Sequence, residues 1–200
     1  MMSTLAEPLA RFDLWWSERK QHTSGDVASA MILSSVDDHG DPAGRVVLLR
    51  GFDERGFVFY TNFESDKGRQ LLANKRAALT FYWPAVAQLP TRQVRVVGGV
   101  ATVGDDEADA YFAGRARESQ IGAWASAQSR PLPSREDLLA RFHEIEARFD
   151  GQPVPRPPHW SGFRVIPDAI ELWQEGAFRL HVRERFSRSG AVWQKTLLNP

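Results

Sequence analysis

The sequence contains no cysteine, and this absence excludes several kinds of site. Without thiols the chain can form no disulfide, no thiolate nucleophile and no cysteine-ligated metal centre. Its five histidines are scattered along the chain, so we expect no metal centre built from histidine either. A chain without disulfides suits a reducing compartment, and we expect a cytoplasmic protein.

Long apolar runs and an excess of charge of one sign are also absent. No stretch approaches the roughly 20 apolar residues of a membrane-spanning helix, so we expect no membrane partner. Charged residues interrupt the first apolar positions, so we expect no signal peptide. The 25 Lys and Arg balance 25 Asp and Glu, which gives a net charge of zero. A general nucleic-acid binder needs a basic surplus, so we expect no nucleic-acid partner.

Three motifs of common enzymes are missing from the chain. We find no G-x-G-x-x-G, no G-x-x-x-x-G-K-[ST] and no G-x-S-x-G. These absences exclude a Rossmann dinucleotide site, a P-loop and a nucleophile elbow. The sequence therefore contains neither of these two phosphate-binding motifs and no nucleophile elbow.

The hydrophobic pattern predicts a mainly β protein with peripheral helices. Residues 1–22 have apolar side chains at helical spacing and are predicted to form an N-terminal helix. Nine short strands follow within 23–200, with helices inserted between them. No linker or repeat divides the chain, so residues 1–200 are predicted to form a single domain. We expect a small β-barrel, because closure removes exposed strand edges.

The segment FRLHVRERF, residues 178–186, carries an unusual charge pattern. Side chains alternate between faces along a strand, so four basic residues are predicted to share one face: Arg179, His181, Arg183 and Arg185. The opposite face is predicted to pack on the core through three apolar residues: Leu180, Val182 and Phe186. Like charges about 7 Å apart repel by about 2 kcal/mol at an effective dielectric of 20. The row is therefore either solvated, as protection of an exposed edge, or it binds an anion.

A second basic position is unusual for its place in a helix. Ser65 is predicted to cap a short helix, and Lys67 falls in its first turn, where the helix dipole disfavours a cation. A phosphate bound at the helix start would account for this lysine. The alternative is a flexible side chain that extends into water.

Five segments resemble the pyridoxine/pyridoxamine 5′-phosphate oxidase family, which consists of FMN-binding split β-barrel flavoproteins. The resemblance runs from about residue 28 to the C-terminus. The segments that carry it are RVVLLRGFDERGFVFYTNFESDKGRQL, RQVRVVGGV, DAYFAGRARESQIGAWASAQS, VPRPPHWSGFRVIP and IELWQEGAFRLHVRERF.

The resemblance implies an FMN-dependent oxidase that forms a homodimer with FMN at the subunit interface. Its substrate would be a phosphorylated B6 vitamer, pyridoxamine or pyridoxine 5′-phosphate, which is oxidised to pyridoxal 5′-phosphate. O2 would be the acceptor and would give H2O2. No metal is implied.

The resemblance also assigns residues to each ligand. Lys67 is placed on the FMN phosphate, within a cofactor set of Arg45, Val46, Val47, Leu48, Leu49, Arg50, Tyr60, Thr61, Lys67, Gln93, Gln128, Ser129, Trp173 and Arg183. The substrate set is Arg50, Tyr111, Arg115, Ser119, Arg179, Leu180 and His181. Arg179 and His181 are the candidates for catalytic proton movement.

Three residues depart from the family pattern. Arg50 stands where the family usually has Lys, Asp66 where an Arg often precedes Lys67, and Val182 where Asp is common. One alternative is therefore an FMN oxidase of the same fold with another substrate, like the phenazine-pathway relatives. Another is a flavin- or B6-binding protein with little turnover. The phosphate-binding set and the RLH segment favour the B6 oxidase.

Overall fold

The computed structural model describes residues 2–190 and 192–200. These ranges contain six α-helices: α1 Ala6–His22, α2 Gly25–Ser29, α3 Asp66–Asn74, α4 Asp105–Ala113, α5 Arg117–Ala125 and α6 Arg135–Arg148. The strands are β1 Met2–Ser3, β2 Ala30–Val36, β3 Pro42–Leu48, β4 Gly51–Asp53, β5 Gly56–Asn62, β6 Arg76–Trp83, β7 Arg92–Thr102, β8 Trp160–Gln174, β9 Val182–Ser189 and β10 Val192–Leu198. Within these ranges no helix is both long and apolar enough to span a membrane.

The ten strands of the described residues join one antiparallel sheet. Its order is β1-β10-β9-β8-β7-β6-β2-β3, and β5 pairs with β4 and with β8. The long strand β8 uses residues 160–165 to pair with β5 and residues 169–174 to pair with β9. The sheet therefore curls into a half-barrel, and the predicted mainly β fold with peripheral helices is confirmed.

The concave side of the sheet holds an aromatic core that α1 covers. Phe12 of α1 is fully buried, and its ring lies 4.9–5.1 Å from the rings of Phe52, Phe57 and Phe81 in edge-on contacts. Such geometry is the favoured one for aromatic pairs. The apolar spacing of α1 thus places one side chain at the centre of the core.

Two strands that the sequence predicts separately are one strand in the structure. The segments GFRVIP and AIELWQ both belong to β8, and the register against β7 shifts between Val97 and Gly98. Gly98 pairs with Pro167, whereas Val97 pairs with Ala169. A proline is tolerated within a sheet at such a bulge. The break in the sequence pattern therefore marks a bend within one strand.

The prediction of a regular strand over residues 178–186 is wrong for its first half. Residues 177–179 form a 3-10 turn in which Phe178 and Arg179 have φ of 55° and 65°, and β9 begins only at Val182. Leu180 and Val182 are 68% and 48% exposed, so neither packs in the core. The predicted shared face therefore holds only for Arg183 and Arg185, with Phe186 buried on the opposite face.

A local contact explains why the chain turns there. The backbone N–H of Gly176 donates to Nδ1 of His181 at 3.3 Å, which closes a loop around the turn. A Cβ at Gly176 would lie 2.2 Å from the carbonyl oxygen of Leu180. Because glycine has no side chain, the backbones of Gly176 and Leu180 can approach this closely. Residues 176–181 therefore form a loop where the sequence pattern predicts the first half of a strand.

Candidate active site

A cleft of about 510 Å³ opens between strands β3 and β5 and helices α4 and α5. Strand β3 contributes its C-terminal residues, and β5 contributes Tyr60 and Thr61 next to the start of α3. Both aromatic and basic side chains line it. The predicted site residues that it brings together are Val46, Val47, Leu48, Arg50, Tyr60, Thr61, Lys67, Tyr111, Arg115, Ser119 and Gln128.

Lys67 lies in the first turn of α3, at the floor of the cleft. The hydroxyl of Ser65 caps this helix by accepting a hydrogen bond from the backbone N–H of Gly68 at 3.2 Å. The Lys67 ammonium donates to Oε1 of Gln128 at 2.8 Å, and Thr61 donates to the same oxygen at 3.3 Å. A cation and a helix N-terminus, both favourable to an anion, therefore meet at one point.

Arg45 adds a second positive charge near Lys67. Its guanidinium donates to Oε1 of Gln70 at 3.0 Å and to the hydroxyl of Ser35. Burial lowers the pKa of Lys67, and the charge of Arg45 lowers it further. Asp66 offsets this partly but is engaged in an ion pair with Arg69. This part of the cleft is electropositive although the whole chain is neutral.

Arg115 provides a further cation on the cleft wall. Its Nη1 is buried and has no hydrogen-bond partner among the residues described. The guanidinium carbon lies 4.8 Å from the ring centre of Trp160 and 5.5 Å from that of Phe112. Burial lowers the pKa of Arg115, and the nearby charge of Arg50 adds to this. Arg50 itself pairs with Asp26 at 3.1 Å.

Three aromatic rings stack between the strands and α4. The rings of Tyr60 and Tyr111 are 3.9 Å apart and nearly parallel, with 2° between their planes. Trp160 continues the stack at 5.4 Å from Tyr60. Burial raises the pKa of Tyr60 to about 12, with further contributions from Glu107 and Tyr111. The stack forms a flat apolar wall beside the basic groups.

The free energy of unfolding should fall at alkaline pH, and we expect this fall to be smaller in the Tyr60→Phe variant. The folded-state pKa of Tyr60 is about 12 against an ordinary value of 10.0, so between these values the unfolded chain loses a proton that the folded chain keeps. Stability that is fully present below pH 10.0 therefore falls as pH rises through this window. Because Tyr60 is partly solvated, we expect an effect of about 1 kcal/mol.

Urea unfolding at about pH 9 and about pH 11 measures this difference. Tyr82→Phe is the matched control, because Tyr82 is exposed on β6. An equal change for both variants would contradict a special role of Tyr60.

A second group of predicted residues lies on strands β7, β8 and β9. Gln93, Trp173 and Arg183 are directly opposite one another across the three strands. Arg183 donates to Oε1 of Glu171 at 3.1 and 2.8 Å, and the ring of His181 lies 4.6 Å from that of Trp173. Within one chain this group lies outside the lining of the cleft.

The remaining predicted residues have separate places. Leu49 is buried in the core, and Leu180 and Arg179 are exposed in the loop before β9. Ser129 has φ of 67°, and its hydroxyl accepts a hydrogen bond from the backbone N–H of Asp66 at 3.3 Å. Ser129 therefore supports the start of α3 from outside the cleft.

Comparison with known proteins identifies the family. Residues 26–149 match the family described as pyridoxamine 5′-phosphate oxidase. The chain belongs to the pyridoxamine 5′-phosphate oxidase family. Residues 160–200 match a second description, the pyridoxine 5′-phosphate oxidase C-terminal dimerisation region. The latter segment contains β8, β9 and β10 and so includes Trp173, His181 and Arg183.

Curated relatives in this family are similar over nearly the whole chain. A pyridoxine/pyridoxamine 5′-phosphate oxidase of Myxococcus xanthus (strain DK1622) is 53% identical over 194 residues, which cover 97% of this chain and 92% of the relative. A protein of the same name from Sphingopyxis alaskensis is 52% identical over 194 residues, with 97% and 88% covered.

Two solved structures share the fold of this family member. PhzG from Burkholderia lata 383, solved with tetrahydrophenazine-1-carboxylic acid, has a TM-score of 0.88 at 30% identity and covers 96% of this chain and 92% of its own. A pyridoxamine 5′-phosphate oxidase-related, FMN binding protein from Nostoc punctiforme PCC 73102 has a TM-score of 0.73 at 18% identity, with 94% and 95% covered. The second likeness shows the fold alone.

The resemblance to this oxidase family did not name five residues of the cleft: Asn62, Gly122, Ala123, Ser126 and Trp160. Gly122, Ala123 and Ser126 lie in the segment DAYFAGRARESQIGAWASAQS, and Trp160 lies in VPRPPHWSGFRVIP. These side chains are small, amide or aromatic, so a search for basic and titratable groups passes over them. The signal that could have identified these residues is their place within the segments that resemble the family.

Proposed function

We propose that this chain is an FMN-dependent oxidase that converts pyridoxamine 5′-phosphate or pyridoxine 5′-phosphate to pyridoxal 5′-phosphate. O2 is the acceptor, and H2O2 is the second product. One observation carries the proposal. Lys67 and Arg115 both line one cleft, and neither has an ion-pair partner within 4.0 Å among the described residues. Two unpaired cations beside a flat aromatic wall suit two phosphorylated planar molecules.

The residues present fit the phosphate of FMN. Lys67, the capped start of α3 and the Gln128 amide form a polar cradle at the floor of the cleft. Arg45 adds positive charge to it. A helix N-terminus with a lysine beside it is a common arrangement for phosphate binding. We propose that Thr61, Gln128 and Lys67 hold this end of the cofactor.

We propose that FMN lies at the interface of a homodimer. The family match of residues 160–200 to a dimerisation region supports the dimer. Trp173 and Arg183 of the second group lie outside the cleft of their own chain and inside that region. Val46 is 66% exposed at the cleft, and a partner would cover it. In this arrangement the group on one protomer completes the cleft of its partner.

The chain's own residues bind and orient the substrate. We propose that Arg115, Tyr111 and Ser119 bind the substrate phosphate, because a guanidinium and hydroxyls donate to phosphate oxygens. The Arg179 guanidinium is exposed and would bind the ring substituents. Nδ1 of His181 accepts a hydrogen bond from Gly176, so Nε2 is the nitrogen that can hold or move a proton. When bound, FMN supplies the acceptor for the hydride equivalent.

We also propose that residues 1–200 fold as one unit. The two family matches meet in a single sheet, because β8 of the C-terminal match pairs with β5 and β7 of the other. The N-terminal helix α1 belongs to the same unit, because its Phe12 is part of the shared core.

Anaerobic addition of pyridoxamine 5′-phosphate to the purified protein tests the function. We expect the protein to carry a flavin absorbance, the substrate to bleach it, and air to restore it with release of H2O2. Pyridoxamine without phosphate is the control and should bleach the flavin far more slowly. A flavin that this substrate does not bleach would reject the B6 oxidase. It would favour an oxidase of another substrate, as the likeness to PhzG allows, or a binding protein with little turnover.

We expect Lys67→Met to weaken FMN binding about 30-fold, because one charge-assisted hydrogen bond to phosphate is lost. Titration of apoprotein with FMN, followed by the quenching of FMN fluorescence, measures the dissociation constant. Lys75→Met is the matched control, because Lys75 lies at the opposite end of α3 and is exposed. An equal loss in the two variants would mean that general charge, and not the cradle, attracts FMN.

A further inference from the structure

Arg115 is held in an unusual way for a half-buried arginine of this chain. Several other arginines of low exposure bind carboxylates: Arg92 pairs with Glu18, Arg164 with Glu107 and Arg183 with Glu171. Two more, Arg19 and Arg45, donate to uncharged oxygens. Arg115 forms no ion pair within 4.0 Å among the residues described, and it lies over the rings of Trp160 and Phe112. The rings therefore take the place of a counter-ion.

This difference has a chemical consequence. A carboxylate would neutralise the guanidinium and occupy two of its N–H groups, and an incoming phosphate would have to displace it. An aromatic face attracts the cation through its quadrupole and uses none of the N–H donors. Nη1 of Arg115 is accordingly buried without a partner, and the guanidinium lines the cleft. The rings therefore orient the Arg115 guanidinium without neutralising its charge or using its N–H donors, which a phosphate could then bind.

Trp160 is itself fixed on several sides. It is 6% exposed, it opens β8, and it pairs with Asn62 of β5. Its ring lies within 7° of parallel to both Tyr60 and Tyr111, and Phe112 contacts it edge-on at 5.0 Å. A side chain constrained in this way offers a rigid surface for a cation.

We propose that Trp160 is a positioning residue. Its ring holds the Arg115 guanidinium in place without an ion-pair partner, and this sets the preference of the enzyme for phosphorylated substrates. This inference rests on the proposed function in that Arg115 binds the substrate phosphate. Trp160 acts through Arg115 and makes no contact of its own with the phosphate.

Two substitutions at Trp160 and one matched control test the proposal in the FMN-loaded protein. Trp160→Phe keeps a weaker aromatic face, and Trp160→Leu removes it. Trp15→Leu is the control, because Trp15 is 5% exposed and carries the Arg92 guanidinium at 4.7 Å, outside the cleft. The measurements are KM for pyridoxamine 5′-phosphate and for pyridoxamine, and the dissociation constant of inorganic phosphate by calorimetry.

We expect Trp160→Leu to raise KM for pyridoxamine 5′-phosphate and the phosphate dissociation constant about tenfold, and Trp160→Phe about threefold. KM for pyridoxamine should change much less, and kcat should change less than KM. Trp15→Leu should leave phosphate affinity within about twofold of wild type. Retained FMN affinity in the Trp160 variants would show that the cleft itself is intact.

The outcomes separate this proposal from the proposed function. If pyridoxamine 5′-phosphate is oxidised and Arg115→Ala weakens phosphate binding but Trp160→Leu does not, the role of Trp160 is rejected and the function stands. An equal loss of FMN and phosphate affinity in Trp160→Leu also rejects it, because the cleft has then collapsed. If the wild type does not oxidise the substrate, the function is rejected. The phosphate constants of Trp160→Leu and Trp15→Leu then still decide the role of Trp160.

Discussion

We expect Arg115→Ala to raise KM for pyridoxamine 5′-phosphate about 100-fold, because two charge-assisted hydrogen bonds to phosphate are lost. Arg115 already lines the cleft and forms no ion pair among the residues described, so a phosphate need not displace a carboxylate to bind it. Pyridoxamine has no phosphate for this guanidinium to bind, so the KM for pyridoxamine should barely change. Steady-state kinetics with both amines measures the difference.

Arg148→Ala is the matched control for this prediction. The Arg148 guanidinium also lies over aromatic rings, at 5.4 Å from Trp124 and 5.2 Å from Phe149, but it is outside the cleft. Its loss should leave both KM values unchanged. Equal increases for the two amines in Arg115→Ala would contradict a phosphate-specific role.

Gly98→Ala should destabilise the fold by about 3 kcal/mol, with a fall of the melting temperature of about 10 °C. A Cβ at Gly98 would lie 1.9 Å from the carbonyl oxygen of Ile166 and 2.7 Å from its carbonyl carbon. Both atoms are backbone of β8, so no side chain can move aside. The clash would force β7 and β8 apart where their register shifts. Thermal and urea unfolding measure the loss.

The neighbouring glycine offers a sharp control. A Cβ at Gly99 would meet only the carbonyl oxygen of Lys75 at 4.0 Å, which is an ordinary contact. Gly99→Ala on the same strand should therefore change stability by about 0.5 kcal/mol or less, because alanine removes only backbone freedom. Similar losses of stability in the two variants would contradict a specific clash at Gly98, because they would show that alanine is unfavourable at either position of this strand.

The strands could be predicted because their side chains alternate, but the places where the chain bends could not. At Pro167 and Asp168 the alternation of apolar and polar side chains is interrupted, which predicts a turn between two strands. In the structure β8 continues through these residues, and only its register against β7 shifts. At Gly176 the sequence does contain a loop signal. The apparent alternation of residues 178–186 outweighed it, and the hydrogen bond of Gly176 to His181 became evident only in the structure.

The cleft could be predicted only through the resemblance. Tyr60, Lys67 and Tyr111 come from three separate elements, and Arg115 comes from the loop between α4 and α5, so no spacing rule joins them. Trp160 was missed because it ends the proline-rich segment QPVPRPPHW, which the sequence pattern predicts to be a connector and not a part of the site. Its role as a support for a cation depends on a distance between two elements, which a single sequence does not contain.

The pairing of β8 also constrains how the protein is made. Strands β5 and β7 leave the ribosome long before β8, yet each needs β8 as a neighbour in the sheet. Until β8 is synthesised, β5 and β7 each lack a partner strand on one side and expose backbone N–H and C=O groups and apolar side chains. The half-barrel can therefore complete its sheet and its core only after β8 has been synthesised, and until then the nascent chain is prone to aggregate.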